Sequence, residues 1–374
     1  MAMIEQLCRA GHSVHIIQKG TGGQLPAIPQ TLAQYAVTTD VIPFKAASKG
    51  NFVARYLGEL KYVHDCKKVL RAGYDAVFIQ SNTVAGFAVG AVRAVLPKAR
   101  VTFNVQDIFP YNAVFGGSIK QNGALFRVLA AVQRYGYKHS DHIVTISEDM
   151  KDTLVQDGTA ASKIQVIYNW SYQDEVYEDR DMDCLPEMFD STYFNVVYAG
   201  NIGMMQNVDI LIEAARLLKG HKDIWFHIIG DGLYKEKLQE KAKKYELRNL
   251  SFWPMQPSEL APTIYSAASV NVIPLVKNVY RTALPSKTAT CLACRKPVIF
   301  AIGKESKFGQ KVMQETGCLV VESDRPEELV AAIKVMLAKK EWTFTGDFFG
   351  RYCKRTENSR KYAQIIAGKL ETWW

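Results

Sequence analysis

Residues 280–300 read YRTALPSKTATCLACRKPVIF, and this stretch decides the fold of the second half of the chain. It predicts a loop that enters a short helix at Ser286, followed by a turn and a buried strand. Pro285 suits the first turn of a helix, and a helix start presents unpaired N–H groups and a partial positive charge. Because Arg281, Ser286 and Lys287 add two cations and a hydroxyl, the stretch predicts a cradle for a diphosphate. An ordinary capped helix with two solvated bases is the alternative.

Strand and helix patterns alternate on both sides of this stretch. Buried apolar runs at 76–80, 101–105 and 194–198 are each followed by a segment with helical periodicity. Such alternation indicates mostly parallel sheets with helices packed on them. Because the two halves of the chain are comparable, the sequence predicts an α/β fold with two Rossmann-like domains.

An acidic segment separates the two halves. Aspartate and glutamate crowd a stretch without apolar periodicity, which is typical of a linker. We therefore predict an N-terminal domain at 1–172, a linker at 173–192 and a C-terminal domain at 193–345. The basic and aromatic remainder, 346–374, predicts a helical tail that packs back on the N-terminal domain.

Composition narrows the range of functions. The chain has 374 residues, of which 48% are hydrophobic, and both values suit a pair of globular domains. A net charge of +9 suits nucleic acid, anionic lipid or a phosphorylated ligand without choosing among them. No basic run interleaved with aromatic residues and no zinc-finger spacing is present, so we expect no nucleic-acid partner.

Metal and redox chemistry find little support in the sequence. The seven cysteines are scattered and odd in number, which favours a reducing compartment. Cys291 and Cys294 are one helical turn apart, a spacing that favours core packing over a metal or redox pair. Asp181 and Asp183 form a DxD motif, but they lie in the acidic linker and do not follow a buried strand. We expect neither a metal ion nor another cofactor.

Residues 54–71 predict an amphipathic helix with many bases. The bases are Arg55, Lys61, Lys67, Lys68 and Arg71. They are either a solvated face or, with Lys45 and Lys49, a surface that docks on anionic lipid headgroups. The apolar helix predicted at 84–96 is too short to cross a bilayer, and the N-terminus lacks the apolar core of a signal peptide. These features fit a cytoplasmic protein that is peripheral on the inner face of the membrane.

Glycine turns and one aspartate follow predicted strands. Gly200 and Gly203 follow the first strand of the second half, before a helix, and Gly230 ends the next strand. A strand, a glycine turn and a helix suggest backbone contact with phosphate. Asp107 lies at the carboxyl end of a strand, where open α/β sheets place their ligand crevice.

These elements resemble the GT-B glycosyltransferases of family 4. In the C-terminal half, the order and spacing of four segments carry the likeness: VVYAGNIGMMQNVDILIEAARLL, FHIIGDGLYKEKL, LSFWPMQPSELAPTIYSAASVNVIPL and ALPSKTATCLACRKPVI. In the N-terminal half only QDIFP, DHIVTISEDM and VIYNW carry it. The PSK and QDIFP segments, and GNIG with Gln206, are similar to a subgroup that adds sugars, often N-acetylated amino sugars, in bacterial capsule and O-antigen assembly.

The resemblance implies a cleft between two Rossmann-like domains. A nucleotide-sugar donor, expected to be UDP-linked, would lie against the C-terminal domain and a lipid-linked saccharide acceptor against the N-terminal one. The implied donor-binding residues are Gly200, Asn201, Gly203, Gln206, Gly230, Met255, Gln256, Thr282, Leu284, Ser286 and Thr290. Lys287 and Arg281 would offset charge on the leaving diphosphate, and Asp107 would lie near the transferred sugar and the incoming hydroxyl. The family retains anomeric configuration, and no metal is expected here.

Two features depart from the family pattern. Two glutamates that relatives carry eight residues apart are replaced by Thr282 and Thr290, and a hydroxyl is no charged anchor for sugar or ribose. The chain also begins inside the first helix, so the first strand of the N-terminal domain is expected to be missing. These departures motivate one alternative, a catalytically degenerate partner that scaffolds another transferase. A UDP-sugar 2-epimerase on the same fold is the other, although the sparse histidine content disfavours it.

Overall fold

The computed structural model describes residues 1–20, 30–44, 52–177, 185, 188–339 and 342–369. The helices are α1 (Ala2–Arg9), α2 (Phe52–Leu70), α3 (Ala85–Val95), α4 (Tyr111–Phe115), α5 (Ala124–His139), α6 (Glu148–Gln156), α7 (Asp209–Leu217), α8 (Lys235–Lys244), α9 (Ala261–Ala267), α10 (Lys287–Ala293), α11 (Lys307–Thr316), α12 (Pro326–Ala338), α13 (Phe348–Tyr352) and α14 (Arg355–Ala367). The strands are β1 (Val14–Gly20), β2 (Val37–Pro43), β3 (Ala76–Gln80), β4 (Arg100–Val105), β5 (His142–Thr145), β6 (Ile164–Val166), β7 (Phe194–Ala199), β8 (Ile224–Ile229), β9 (Leu250–Trp253), β10 (Val270–Pro274), β11 (Val298–Ala301) and β12 (Leu319–Val321). Short 3₁₀ turns connect several of these elements.

The chain divides into two compact units. The first comprises Met1–Ile167 and Thr356–Trp374, and the second comprises Tyr168–Arg355. The domain limits predicted at 172 and 345 remain predictions. The DxD motif and the two lysines at 45 and 49 lie outside the described residues.

The first unit contains two parallel sheets. β1 pairs with β2, and β3, β4, β5 and β6 form a four-stranded sheet in that order. The C-terminal helix α14 belongs to this unit, where Ala363 and Ile366 join a buried cluster with Leu7 of α1. The hydroxyl of Tyr362 donates a 2.9 Å hydrogen bond to Asn104 on β4. The last helix therefore completes the core at the carboxyl end of β4.

The second unit is built on one six-stranded parallel sheet of order β12-β11-β10-β7-β8-β9. The chain places β8 and β9 on one side of β7, and then returns so that β10 pairs with the other side of β7. The strand order therefore reverses between β7 and β10. In open α/β sheets, ligands bind outside the carboxyl ends of the strands at such a switch point. The α/β fold with parallel sheets, predicted from the alternation of patterns, is confirmed.

The buried helix α10 follows β10 in this unit. Cys291 and Cys294 are 1% and 4% exposed there, which confirms the core packing that their one-turn spacing predicts. Burial raises the pKa of the Cys291 thiol well above its usual value, so it stays protonated near neutral pH. In the part of the chain that the structure describes, no helix combines the length and the apolar run needed to cross a bilayer.

Candidate active site at the switch point of the six-stranded sheet

Two glycine loops meet at the carboxyl edge of the sheet. Gly200 follows β7 and Gly230 follows β8, and their φ angles of +141° and +148° are rarely adopted by other residues. A Cβ on Gly230 would lie 1.9 Å from the carbonyl oxygen of Gly200. The loops are also joined by hydrogen bonds, from the N–H of Gly200 to Ile229 (2.9 Å) and from the N–H of Ile202 to Asp231 (2.7 Å). Both positions therefore require glycine, and the edge presents backbone rather than side chains.

Lys287, the first residue of α10, contacts the loop of Gly200. Its Nζ donates a 2.7 Å hydrogen bond to the carbonyl of Ala199, the last residue of β7. The same Nζ lies 3.8 Å from the centroid of the Tyr198 ring, a cation–π contact. A Cβ on Gly200 would lie 2.6 Å from this Nζ, so the glycine is what allows the ammonium group to approach. The structure thus brings Gly200 and Lys287, both predicted from sequence, to one place.

The charge on Lys287 has no counterion in the described residues. No carboxylate is paired with its Nζ there, although the side chain is half-buried. Burial lowers the pKa of Lys287 to about 8, so near neutral pH the ammonium form predominates in a poorly solvated place. A buried charge without a partner is costly, and an anion bound beside it would remove that cost. The site is therefore prepared for a negatively charged ligand.

Asn201, Gly203 and Gln206 extend the same surface. The amide of Asn201 donates to Oε1 of Gln206 at 3.4 Å, and a Cβ on Gly203 would lie 2.7 Å from that oxygen. Within the described chain, the backbone N–H groups of Asn201 and Gly203 donate to no other protein group. Unpaired backbone N–H groups are donors from which phosphate oxygens accept hydrogen bonds.

The other predicted residues around α10 differ in accessibility. Ser286 precedes α10 and is exposed, and its hydroxyl caps no backbone N–H group. Arg281 is exposed in the preceding 3₁₀ turn, and Leu284 is half-buried. Thr282 is 3% exposed, with its hydroxyl donating at 3.1 Å to a carbonyl within its own turn, and Thr290 is 6% exposed in α10. The contact of these two threonines with the donor stays a prediction.

Met255 and Gln256 lie in the loop after β9, the edge strand next to β8. Met255 is exposed, and the amide of Gln256 donates to the carbonyl of Pro254 at 3.1 Å. Because neighbouring strands are about 4.8 Å apart, this loop starts roughly 10 Å along the sheet edge from the end of β7. That separation suits a group attached to a diphosphate rather than the diphosphate itself.

Asp107 belongs to the first unit, where it follows β4. A polar network supports this strand end, because Gln106 donates from its backbone to Ser81 (3.0 Å) and from its amide to Asn104 (3.2 Å) and Tyr362 (3.3 Å). The surrounding chain excludes part of the water near the Asp107 carboxyl, which raises its pKa above the usual aspartate value. Part of the side chain stays exposed, so the carboxyl is able to exchange protons with a ligand.

Three residues that support the ends of β7, β8 and β4 were not predicted from the sequence. Tyr198 lies under Lys287, and its hydroxyl donates to the carbonyl of Asn201 at 2.5 Å. Lys235 donates to the carbonyl of Gly230 at 2.8 Å, and Tyr362 orients the strand end before Asp107. The signal available in the sequence was a tyrosine near the end of a buried strand, two residues before a glycine turn. In the described residues, no group of three or more His, Cys, Asp or Glu side chains could hold a metal ion.

Comparisons with known proteins identify the family of the chain. Residues 1–170 match the family model of the glycosyl transferase 4-like domain, and residues 193–339 match that of the glycosyl transferases group 1. The chain belongs to the GT-B glycosyltransferases of family 4. A similar relative is the putative colanic acid biosynthesis glycosyl transferase WcaI of Escherichia coli strain K12, 28% identical over 284 residues. The match covers 74% of this glycosyltransferase and 69% of WcaI.

Solved structures share the fold of this glycosyltransferase at low identity. Sucrose-phosphate synthase from Thermosynechococcus elongatus matches 97% of this chain and 87% of its own, with a TM-score of 0.72 and 17% identity. HepE from Anabaena, solved in complex with UDP and glucose, matches 95% of both chains with a TM-score of 0.63 and 14% identity. These likenesses show the fold of this glycosyltransferase.

Proposed function

We propose that this glycosyltransferase moves a sugar from a UDP-linked donor to a lipid-linked saccharide during the synthesis of a bacterial surface polysaccharide. The observation that carries the proposal is Lys287, a half-buried cation without a carboxylate partner in the described residues, held against a glycine loop at the switch point. A bound diphosphate supplies the negative charge that Lys287 lacks as a partner. The UDP found in HepE and the colanic acid pathway in the name of WcaI support the donor and the product class.

The chemistry follows from the charge on the leaving group. As the bond between the sugar C1 and the diphosphate oxygen breaks, negative charge grows on the diphosphate. The Lys287 ammonium group and the free N–H groups of Asn201 and Gly203 offset that charge, and the exposed Arg281 provides a second cation. In a reaction that retains anomeric configuration without a metal, the departing phosphate oxygen accepts the proton of the incoming hydroxyl. Asp107, whose pKa is raised, orients that hydroxyl or assists as a base.

The sugar and the acceptor are proposed from weaker signals. The QDIFP and PSK segments resemble a subgroup that often transfers N-acetylated amino sugars, so we propose UDP-N-acetylhexosamines as the first donors to test. We further propose that the acceptor is carried by a lipid at the inner face of the cytoplasmic membrane.

The direct test combines purified protein with UDP-sugars and a lipid-linked saccharide extract, and follows label from the sugar into lipid. Transfer to lipid supports the proposal. Recovery of only an isomerised UDP-sugar would instead identify a 2-epimerase. Calorimetry that detects no binding of UDP or any UDP-sugar would identify a non-catalytic partner of another transferase, for which the two threonines at 282 and 290 give a reason.

UDP affinity is expected to depend on pH through Lys287. The pKa of Lys287 in the protein without UDP is about 8, so the lysine loses its charge as pH rises above that value. The phosphates of UDP are already ionised in this range. Bound diphosphate favours the charged form, so proton uptake accompanies binding at alkaline pH. Affinity should therefore fall by up to about tenfold per pH unit above 8 in the wild type, because each molecule bound then requires one proton.

Calorimetry from pH 6.5 to 9.5, in buffers of different ionisation enthalpy, measures both the affinity and the proton uptake. The Lys287→Met variant should bind weakly at every pH and show neither effect. An equal pH dependence in the two proteins would mean that Lys287 does not contact the diphosphate.

A further inference from the structure

Two side chains of the second unit donate to the same backbone oxygen, the carbonyl of Ala199 at the end of β7. Lys287 of α10 donates from its Nζ at 2.7 Å, and Tyr265 of α9 donates from its hydroxyl at 3.4 Å. The first distance is that of a strong, charge-assisted hydrogen bond, whereas the second lies beyond the usual range for a hydroxyl donor. Ala199 itself is 8% exposed, so water has little access to it. In the structure, therefore, the lysine is the principal side-chain donor to this carbonyl.

The Tyr265 hydroxyl is a buried donor that lacks a short hydrogen bond. Tyr265 is 5% exposed, and among the residues that the structure describes its hydroxyl donates to no acceptor other than Ala199. Burial raises the pKa of the phenol well above its usual value, so the hydroxyl keeps its proton near neutral pH. The backbone of the residue is held in place, because its carbonyl accepts from the Asn271 side chain on β10 at 3.0 Å. A small movement of the ring would shorten the bond to Ala199, and a buried hydroxyl gains free energy from such a bond.

The Lys287 ammonium group has two competing acceptors once a diphosphate is bound. Its Nζ lies 3.8 Å from the centroid of the Tyr198 ring, so the ring and the Ala199 carbonyl already occupy two sides of the group. A diphosphate oxygen that attracts the ammonium group lengthens or breaks the bond to Ala199. A buried carbonyl that loses its donor costs free energy. That cost is subtracted from the affinity for the ligand unless a second donor replaces the lysine.

We propose that Tyr265 is a positioning residue, which takes over the Ala199 carbonyl as Lys287 turns toward the diphosphate. The carbonyl oxygen has two lone pairs, so both donors can bond to it during the exchange. The hydroxyl has to approach from 3.4 Å to the usual distance of about 2.8 Å. Tyr265 thus acts without touching the ligand, by lowering the cost of releasing the lysine. The inference rests on the proposed function, because it requires a diphosphate at Lys287.

The test is a double-mutant cycle in UDP affinity with the substitutions Tyr265→Phe and Lys287→Met. Tyr265→Phe keeps the ring and removes only the hydroxyl. In the wild-type background it should reduce UDP affinity about five- to tenfold, which is the effect of one lost hydrogen bond. In the Lys287→Met background it should change the affinity by less than about twofold, because the Ala199 carbonyl then has the same donors with and without UDP. Calorimetry measures the tighter complexes, and ligand-observed NMR measures the weak ones.

Two controls show whether the effect is specific to the diphosphate. Uridine lacks the diphosphate, so the Tyr265→Phe variant and the wild-type protein should bind it equally. Tyr245→Phe removes a hydroxyl of the second unit that donates to Glu213 at 3.0 Å, outside the glycine loops, and should leave UDP affinity unchanged. Denaturant unfolding provides a separate readout. In the double variant the midpoint should fall by more than the sum of the two single shifts, because the Ala199 carbonyl has then lost both side-chain donors.

Three results would overturn the inference. One is wild-type UDP affinity in the Tyr265→Phe variant. Another is an equal loss of UDP affinity in both backgrounds, or an equal loss of UDP and uridine affinity, because the hydroxyl then only supports packing. The third is a UDP complex in which Lys287 has left Ala199 while the Tyr265 hydroxyl remains 3.4 Å from it. Normal UDP affinity of the Lys287→Met variant would refute the diphosphate site and the inference with it, whereas a loss in that variant alone refutes only the role of Tyr265.

Discussion

Sugar transfer should fall by roughly 10²- to 10³-fold in the Lys287→Met variant, a loss of about 3–4 kcal/mol of transition-state stabilisation. Methionine keeps most of the aliphatic stem over the Tyr198 ring but removes the charge that lies 2.7 Å from the Ala199 carbonyl. The charge on the leaving diphosphate is greatest in the transition state, so kcat should fall as well as the affinity for the donor. Steady-state kinetics with labelled UDP-sugar measures both quantities.

Lys311→Met is the matched control for this substitution. Lys311 also lies over a tyrosine ring of the second unit, with its Nζ 4.0 Å from the centroid of Tyr352, but it is on α11 and outside the glycine loops. This variant should keep wild-type kinetics. If the two variants lose activity equally, or if Lys287→Met turns over normally, then Lys287 has a packing role and the proposed diphosphate site is wrong.

The second large effect is expected from Gly230→Ala. The added Cβ would lie 1.9 Å from the carbonyl oxygen of Gly200, and the residue would have to keep a φ of +148°. The clash can be relieved only by separating the two glycine loops, and the strain in φ only by changing the backbone of the turn, so we expect a loss of about 2–4 kcal/mol in the free energy of unfolding. Because the displaced loop carries the free N–H groups of Asn201 and Gly203, UDP affinity should fall at least tenfold even in the folded protein.

Gly220→Ala provides the comparison for this prediction. A Cβ at Gly220 meets nothing within 4 Å, so the substitution should change the free energy of unfolding by no more than about 0.5 kcal/mol. Denaturant unfolding and UDP titration of both variants give the two readouts. Indistinguishable behaviour of the alanine variants at 220 and 230 would contradict the close pairing of the loops.

Much of the site could be predicted because its signals are local. A glycine turn after a buried strand pointed to Gly200, and a proline followed by Ser286 and Lys287 pointed to a helix start. Gly200 and Lys287 are 87 positions apart in the chain. The strand order explains why they meet, because β7 and β10 are neighbours at the switch point. The alternation of strand and helix patterns indicates a parallel sheet. The prediction that the glycine turn and the helix start bind one ligand required the family resemblance.

The remaining features depend on contacts that no local pattern encodes. Tyr362 reaches the end of β4 from the last helix, more than 250 positions along the chain, so nothing near Asp107 in sequence indicated it. Thr282 is predicted to face the donor because it stands where relatives carry a glutamate, and that role stays a prediction; in the structure its hydroxyl donates within its own 3₁₀ turn. A short polar side chain often forms such a local bond, which a longer glutamate would not form in the same way.

A crystal structure of the protein with UDP tests the central claim most directly. The diphosphate should lie at the end of β7, with an oxygen about 2.7–2.9 Å from the Lys287 Nζ and others accepting from the N–H groups of Asn201 and Gly203. Lys287 would then share its hydrogen bonds between the ligand and the Ala199 carbonyl, or leave that carbonyl. A diphosphate bound elsewhere on the chain, with the Lys287 Nζ still bonded only to Ala199, would contradict the account.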